Sequence, residues 1–476
     1  MHPLPQTDSP VFGEILRHFR LAAGFTQEEL AERAGVSRLT ISSLERGVRR
    51  VPHKDTVQRL ADSLQLSARD RVRLQAVGRN KLTGEPADAE GVATPARFAA
   101  SLPLVGRGKQ LDVLERHVEG VGTPLIVLAG EPGIGKTRLL QETAAYATLY
   151  GFRVIQGGSQ RRRMPEQYSP ISAALAQHLS AQTAGQRQGI VRSFPWLVRL
   201  LPELARNLDD ELPVVPPEQE FRLISQALAD YLMSPGSDGS ANALGTLLVL
   251  DDLQWAGADA LELLSSLVRK VNGFATGRAA LRMVAAYRDT EVGPEDSLPM
   301  TLADLVPGRL ATQVSLDPLS DEESRQFLEP LLNGRPTEDL DSALRPASGV
   351  PFFLIEYAQA MRCGIDGMPP DVRQSVRSRI AALSNESRAI LRVAAATERS
   401  APLDLLMAVT GQEDAVFARA LDELQRAKLL VPDKENECRF PYDVIRDVAA
   451  LELGSVLLPP LRRRIEAMQR ETAGIS

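Results

Sequence analysis

The stretch AGEPGIGKTRLL, beginning at Ala129, limits the possible folds of this chain more than any other feature. Gly130, Gly135, Lys136 and Thr137 satisfy G-x-x-x-x-G-K-[ST]; the apolar run PLIVLA precedes them and the helix-like TRLLQETAAYA follows. A strand that turns through glycines into a helix start aims several backbone N–H groups at one point, where an anion is stabilised. The glycines let the backbone curl around a β-phosphate, Lys136 neutralises charge on the β and γ oxygens, and Thr137 offers a hydroxyl to Mg2+. Gly133 and Arg138 complete the candidate set on this loop, which predicts a P-loop site for ATP or ADP with Mg2+.

Such a loop needs a sheet behind it. PLIVLAG, RVIQGG, TLLVLDD and LRMVAAYR are apolar through their length rather than alternating, as parallel strands covered by helices on both faces must be. They predict an α/β core with a parallel sheet over residues 102–315. TLLVLDD ends in Asp251, a candidate Mg2+ holder, and Asp252, a candidate to polarise an attacking water. Aspartate is one methylene shorter than glutamate, so slow hydrolysis is the expectation. Arg288 ends a further strand on the same sheet edge and is the candidate γ-phosphate sensor. The run Gln160 to Arg163 reads either as a solvated loop or as a reach towards a neighbouring subunit's phosphate.

Ahead of this core the texture differs. Residues 1–81 hold 14 Lys and Arg against 9 Asp and Glu, a net of +5 in a chain of net charge −6. The basic end is the sign expected of a nucleic-acid-facing module on an acidic body. Short helix-like segments follow one another, with Gly24, Gly35 and Gly47 at their expected stops and Thr26 with Glu29 forming a capping box. TGEPADAEGVATPARFAASLP then reads as a linker over 81–101.

FTQEELAERAGVSRLTISSLERG resembles the lambda-repressor-like (Xre/Cro type) helix-turn-helix. Leu30, Ala31, Val36, Ile41 and Leu44 fit its core, and the resemblance implies an all-α domain over 1–80 that binds a double-stranded DNA operator. Its recognition helix would start near Ser37 and present Arg38, Leu39, Thr40 and Ser43 to the major groove. Arg38 suits guanine, Leu39 suits a thymine methyl, and Gln27 and Arg49 suit phosphates. Arg20 and Glu45 match the family's internal ion pair. A helical module that docks on protein is the alternative.

VGRGKQLDVLE, GEPGIGKTRLL, LLVLDDLQWAGADALELL, AYRDTE and GVPFFLIEYAQAM, in this order, resemble the STAND ATPases, the AAA-related signalling NTPases of large ATP-binding LuxR-type regulators. The resemblance implies that Val105, Gly106 and Arg107 lie beside the adenine and that Gly349 and Pro351 begin a lid helix over the base. It implies a helical lid over 316–375, a winged-helix domain over 376–458 and a helical tail over 459–476. It further implies a switch, closed with ADP and self-associating with ATP, here coupled to DNA as a transcriptional regulator. A signalling or defence scaffold whose N-terminal module binds protein is the alternative. Two departures stand out: where the family has a histidine that touches ADP, FPYDVIRDVAA has Tyr442, read chiefly as a core tyrosine, and the family's sensory repeat array does not follow before Ser476. A separate sensor protein is one expectation that follows.

Composition excludes other classes. No apolar run approaches the roughly 20 residues that span a bilayer, and MHPLPQTDSP is not a leader, so a cytoplasmic protein without a membrane partner is expected. Cys363 and Cys438 read as buried thiols, and none of the five histidines pairs at ligand spacing.

Overall fold

A computed structural model describes residues 25–36, 54–64, 104–159, 167–207, 212–234, 243–273, 281–332, 337–365, 367–397, 400–434 and 436–473, with Leu16, Arg20 and Ile41. The chain divides into two compact units, Met1–Ala93 with Thr148–Tyr150, and Thr94–Ala147 with Gly151–Ser476.

In the first unit α1 (Gln27–Ala34) and α2 (Lys54–Ser63) share a small core. The capping box read from the sequence is formed: Thr26 N–H donates to Glu29 Oε2 at 2.7 Å and Glu29 N–H to Thr26 Oγ1 at 3.2 Å. Two of the amides at the helix start are thereby satisfied. Leu16, Leu30, Ala31, Ala34, Ile41, Leu60, Ala61 and Leu64 bury together, with Phe25 and Val36 packed against them. Arg20 donates to the Phe25 carbonyl at 2.8 Å. Gln27 opens α1 half-buried. Arg38, Leu39, Thr40, Ser43, Leu44, Glu45 and Arg49 lie outside the described residues, as do the linker and the Gln160 to Arg163 run.

The second unit begins with α3 (Gly108–Val118), β1 (Leu125–Gly130), α4 (Lys136–Tyr150) and β2 (Phe152–Gly158). It continues through α5 (Ile171–Ser180), α6 (Ala184–Ser193), α7 (Pro217–Met233), β3 (Gly245–Asp251), α8 (Ala258–Gly273) and β4 (Leu281–Arg288) to α9 (Ser297–Leu305) and β5 (Ala311–Ser315). The five strands form one parallel sheet in the order β2-β3-β4-β1-β5. The four strands read from the sequence are present. β1 is buried at every position and β3 and β4 at all but their last, which is why each reads as an unbroken apolar run. β5, ATQVS, was not anticipated: it is an edge strand whose middle and end face outward, so it carries no such run.

The register decides what the sheet presents. Gly130 pairs with Arg288 across β1 and β4, and Gly158 pairs with Asp251 across β2 and β3. The loop glycine, the acidic pair and the arginine therefore emerge along one edge, the carboxyl ends of the strands, where open α/β sheets bind ligands.

Helices α10 (Asp321–Leu332), α11 (Thr337–Ala347) and α12 (Pro351–Arg362) follow, then α13 (Pro370–Ala381), α14 (Asn385–Ala396), β6 (Ser400–Pro402), α15 (Leu403–Thr410), α16 (Asp414–Arg426), β7 (Val431–Pro432), β8 (Glu437–Arg439) and α17 (Asp443–Ala473). One apolar core runs through them from Leu319 to Ile465. The β pair expected near the end is formed antiparallel by β7 and β8, and β6 joins it as a third strand. Cys438 is buried in that sheet, as expected. Cys363 is exposed, which corrects the reading of both cysteines as buried thiols: it sits at the C-cap of α12, where the chain leaves the core. Among the described residues no helix is long and apolar enough to cross a membrane.

Candidate functional site

The phosphate loop joins β1 to α4, and its geometry follows from its glycines. Gly133 has φ +80°, and a Cβ there would stand 2.6 Å from Cβ of Phe352, the second residue of α12. Only a residue without a side chain lets the loop pass that close to the helix. Lys136 is almost fully buried, and its ammonium donates to the carbonyls of Gly130 at 2.8 Å and Glu131 at 2.9 Å. Burial, reinforced by the Arg288 charge, lowers its pKa to about 8 against the opposing pull of Asp289, Asp251 and Asp252. The Thr137 hydroxyl donates to Asp251 Oδ2 at 2.6 Å. Burial raises the Asp251 pKa, and that hydrogen bond works against the rise.

Across the cleft Asp252 occupies the left-handed region, φ 55° and ψ 43°. Its Oδ1 accepts from Arg288 Nε at 3.1 Å and from Gln254 at 2.8 Å, and Arg288 also pairs with Glu291 at 2.8 Å. The guanidinium lies 4.8 Å from the Trp255 ring centroid, and the Arg288 amide donates to Gln254 at 3.0 Å. The two residues read as water activator and phosphate sensor thus form one ion pair, so a change at either bears on the other.

A roof closes the third side. Buried Arg107 donates to the Ile134 carbonyl at 3.1 Å and so braces the phosphate loop from the segment ahead of β1. Gly349 has φ +78°, and its carbonyl accepts from the Leu319 amide at 2.8 Å. A Cβ at Gly349 would collide with the Leu319 carbonyl oxygen. Pro351 then occupies the first turn of α12, where its missing N–H costs nothing. The next amide, Phe352 N–H, donates to the Gly133 carbonyl at 3.1 Å, so roof and loop are hydrogen-bonded to each other.

These residues enclose a cavity of about 350 Å³. Val105, Arg107, Gly133, Gly135, Lys136, Thr137, Arg138, Asp251, Asp252, Arg288 and Pro351 line it; Gly106, Gly130 and Gly349 stand in the adjoining backbone without lining it. Leu104, Leu319, Phe327, Phe352 and Ile355 line it too, adding apolar surface to the polar lining, and nothing in the sequence distinguishes them from ordinary core residues. Arg138 is partly engaged elsewhere, paired with Glu142 at 2.6 Å. A hard cation that keeps most of its own water needs few protein oxygens, and the adjacent Thr137 hydroxyl and Asp251 carboxylate fit Mg2+.

Two family models match parts of the chain. Residues 103–279 match the model of the AAA ATPase domain, and residues 11–74 match that of a helix-turn-helix domain. The chain carries an AAA ATPase domain behind a helix-turn-helix domain. Among solved structures, the Walker-type ATPase of Pyrococcus abyssi is 17% identical over 73% of this chain and 96% of that one, with a TM-score of 0.47. The Signal Transduction ATPase with Numerous Domains from Pyrococcus horikoshii, which has a tetratricopeptide repeat sensor, is 14% identical over 78% of this chain and 47% of its own, with a TM-score of 0.32. Cdc6p from Pyrobaculum aerophilum is 15% identical over 74% and 96%, with a TM-score of 0.36. No curated protein sequence matches the chain. The cleft described above lies in the AAA ATPase domain: the matched segment contains the phosphate loop and the Asp251–Asp252 strand end, and Arg288 follows it on the next strand.

Proposed function

We propose that this chain is a nucleotide-controlled switch of the STAND type that sets how strongly its helix-turn-helix domain holds operator DNA. The observation that carries the reading is the Phe352 N–H to Gly133 carbonyl bond at 3.1 Å, which ties the roof helix directly to the loop that would wrap the phosphates. A ligand that reshapes the loop necessarily acts on the roof. ADP would hold the closed arrangement; ATP would open it and favour self-association.

In this reading Thr137 and Asp251 hold Mg2+, whose charge neutralises the β and γ oxygens when it is bound. Lys136 turns from the loop carbonyls to the phosphates. Arg288 meets the γ-phosphate and in doing so loosens its hold on Asp252, which then orients water for slow hydrolysis to ADP and phosphate. The antiparallel β6-β8-β7 sheet with α14, α16 and α17 supports assigning the C-terminal part as a winged-helix domain. Linking several DNA-binding modules through an ATP-dependent assembly raises occupancy without any new base contact.

The deciding experiment identifies the nucleotide retained by the purified full-length chain and measures its oligomeric state with ADP and with ATP. Retained ADP and assembly with ATP are expected; one oligomeric state under both nucleotides would sink the switch. On DNA, binding is expected to weaken steeply with salt, because phosphate contacts release counterions. Binding to duplexes that ignores salt would favour a protein-docking N-terminal module instead. Arg38→Ala is expected to cost about 1–3 kcal/mol of discrimination at one base pair, read by competition between operator variants. Unaltered preference would remove Arg38 from the reading helix.

A further inference from the structure

One residue of the phosphate loop turns away from the nucleotide cleft. Glu131 sits between Gly130 and Pro132, does not line the cavity, and is 4% exposed. Its backbone carbonyl is one of the two that hold Lys136. Among the described residues its carboxylate is met from the other end of the chain: Tyr442 donates its hydroxyl to Oε1 at 2.7 Å, Arg379 stands 3.6 Å from Oε2, and Lys428, which donates to Asp289 Oδ2 at 3.0 Å, stands 4.0 Å from Oε1. These three come from separate places, α13, the turn after α16 and the residue just before α17. Arg379 also donates to the carbonyls of Ala427 and Lys428, at 2.8 and 3.3 Å, so the donors are themselves cross-braced.

We infer that Glu131 is a carboxylate latch: it fastens the C-terminal helical part to the phosphate loop, and Tyr442 is the residue that reads whether the loop is in its closed shape. The proposal rests on the switch reading above and names its mechanical link. A buried carboxylate cannot give up its donors without being left uncompensated in a medium of low dielectric, so it moves with them or remains where it is. Burial and the Glu131 charge beside it both raise the Tyr442 pKa, so the phenol stays protonated and remains a donor throughout the physiological range. A cavity of about 500 Å³ lies beside the latch, lined by Pro132, Trp255, Arg288, Arg379 and Arg426 among others. Arg288 faces both this cavity and the nucleotide cleft, which sets the proposed phosphate sensor at the same seam as the latch.

Tyr442 does not line the cleft beside the phosphate loop. Here the contact is one step removed, through the shape of the loop, and it needs no ligand atom. Displacing Glu131 releases the Tyr442 hydroxyl and removes the carboxylate facing Arg379, while Lys428 keeps its own partner, Asp289 Oδ2 at 3.0 Å.

The test uses full-length Tyr442→Phe, Glu131→Gln and the double variant. Tyr442→Phe deletes one hydroxyl from an otherwise packed ring and is the variant that retains the fold. Hydrogen exchange of amides in 428–446, measured without nucleotide, is expected to quicken at least tenfold in either single variant and no further in the double. Exchange at the wild-type rate in Tyr442→Phe, or fully additive effects in the double, would overturn the latch. Assembly is then followed with ADP: both single variants are expected to self-associate where the wild type does not. A wild type whose assembly ignores nucleotide would defeat the switch reading, and the exchange comparison would still decide the latch by itself. Nucleotide-dependent assembly that is the same in wild type and variants would defeat the latch and leave the switch standing.

Discussion

Lys136→Ala is expected to weaken ATP binding by at least a hundredfold, as measured by titration calorimetry. The ammonium is held against the carbonyls of the loop itself, and charge-assisted hydrogen bonds to phosphate are worth about 1.5–3 kcal/mol each. Losing two of them, one to each of the β and γ oxygens, predicts a loss of about 3–6 kcal/mol. The same lysine gives the site a pH signature. Burial lowers its pKa to about 8 without a ligand, whereas phosphate oxygens stabilise the charged form and raise it. Below pH 8 the group is charged before and after binding. Above pH 8 binding must take up a proton, so affinity falls, by up to tenfold per unit, until the raised pKa of the bound form is passed. An affinity that stays level from pH 7 to 9.5 would contradict this electrostatic picture, and unchanged ATP affinity in Lys136→Ala would remove the site assignment.

Gly349→Ala is expected to damage stability and binding together. A left-handed conformation costs an alanine about 1–2 kcal/mol, and forcing a methyl into filled space costs about 1–3 kcal/mol more. Here φ is +78° and the added atom would run into the Leu319 carbonyl, whose own amide is bonded to Gly349. Relief must come from shifting the roof, which carries Pro351 and Phe352 away from the cleft. A loss of about 2–5 kcal/mol is therefore predicted in thermal melts, accompanied by weaker nucleotide binding. Gly185→Ala in α6 is the control: a Cβ there meets nothing within 4 Å and should be neutral or mildly stabilising. Equal melting temperatures for the two variants would mean that the neck at Gly349 is not constrained as described.

How far the sequence could be read depended on whether a residue's job was local. The loop, the acidic strand end and Arg288 were legible because each sits at the end of an apolar run, and parallel strands present such ends together. The Thr26–Glu29 capping box was legible because both partners lie within one helical turn. β5 was not, because an edge strand half in water has no continuous apolar run. The apolar lining from Phe327, Phe352 and Ile355 was not, because side chains that could pack a core or a base look alike before folding. Tyr442 was read chiefly as a core tyrosine. It is buried, but its hydroxyl finds a carboxylate 311 residues away, a pairing set by tertiary structure alone.

The backbone at Asp252 bears on how such a protein can evolve. With φ 55° and ψ 43°, this position favours aspartate and asparagine, whose short side chains tolerate the left-handed region better than longer residues do. Changing aspartate to glutamate, the substitution that would extend the carboxylate towards a bound water, is a small step in the gene and a costly one in this turn. A lineage that quickened the chemistry this way would carry up to about 1–2 kcal/mol of strain or rebuild the turn. On the reading proposed above, the hydrolytic clock of this switch is set by backbone shape, and its slow tempo is shielded from drift by single substitutions.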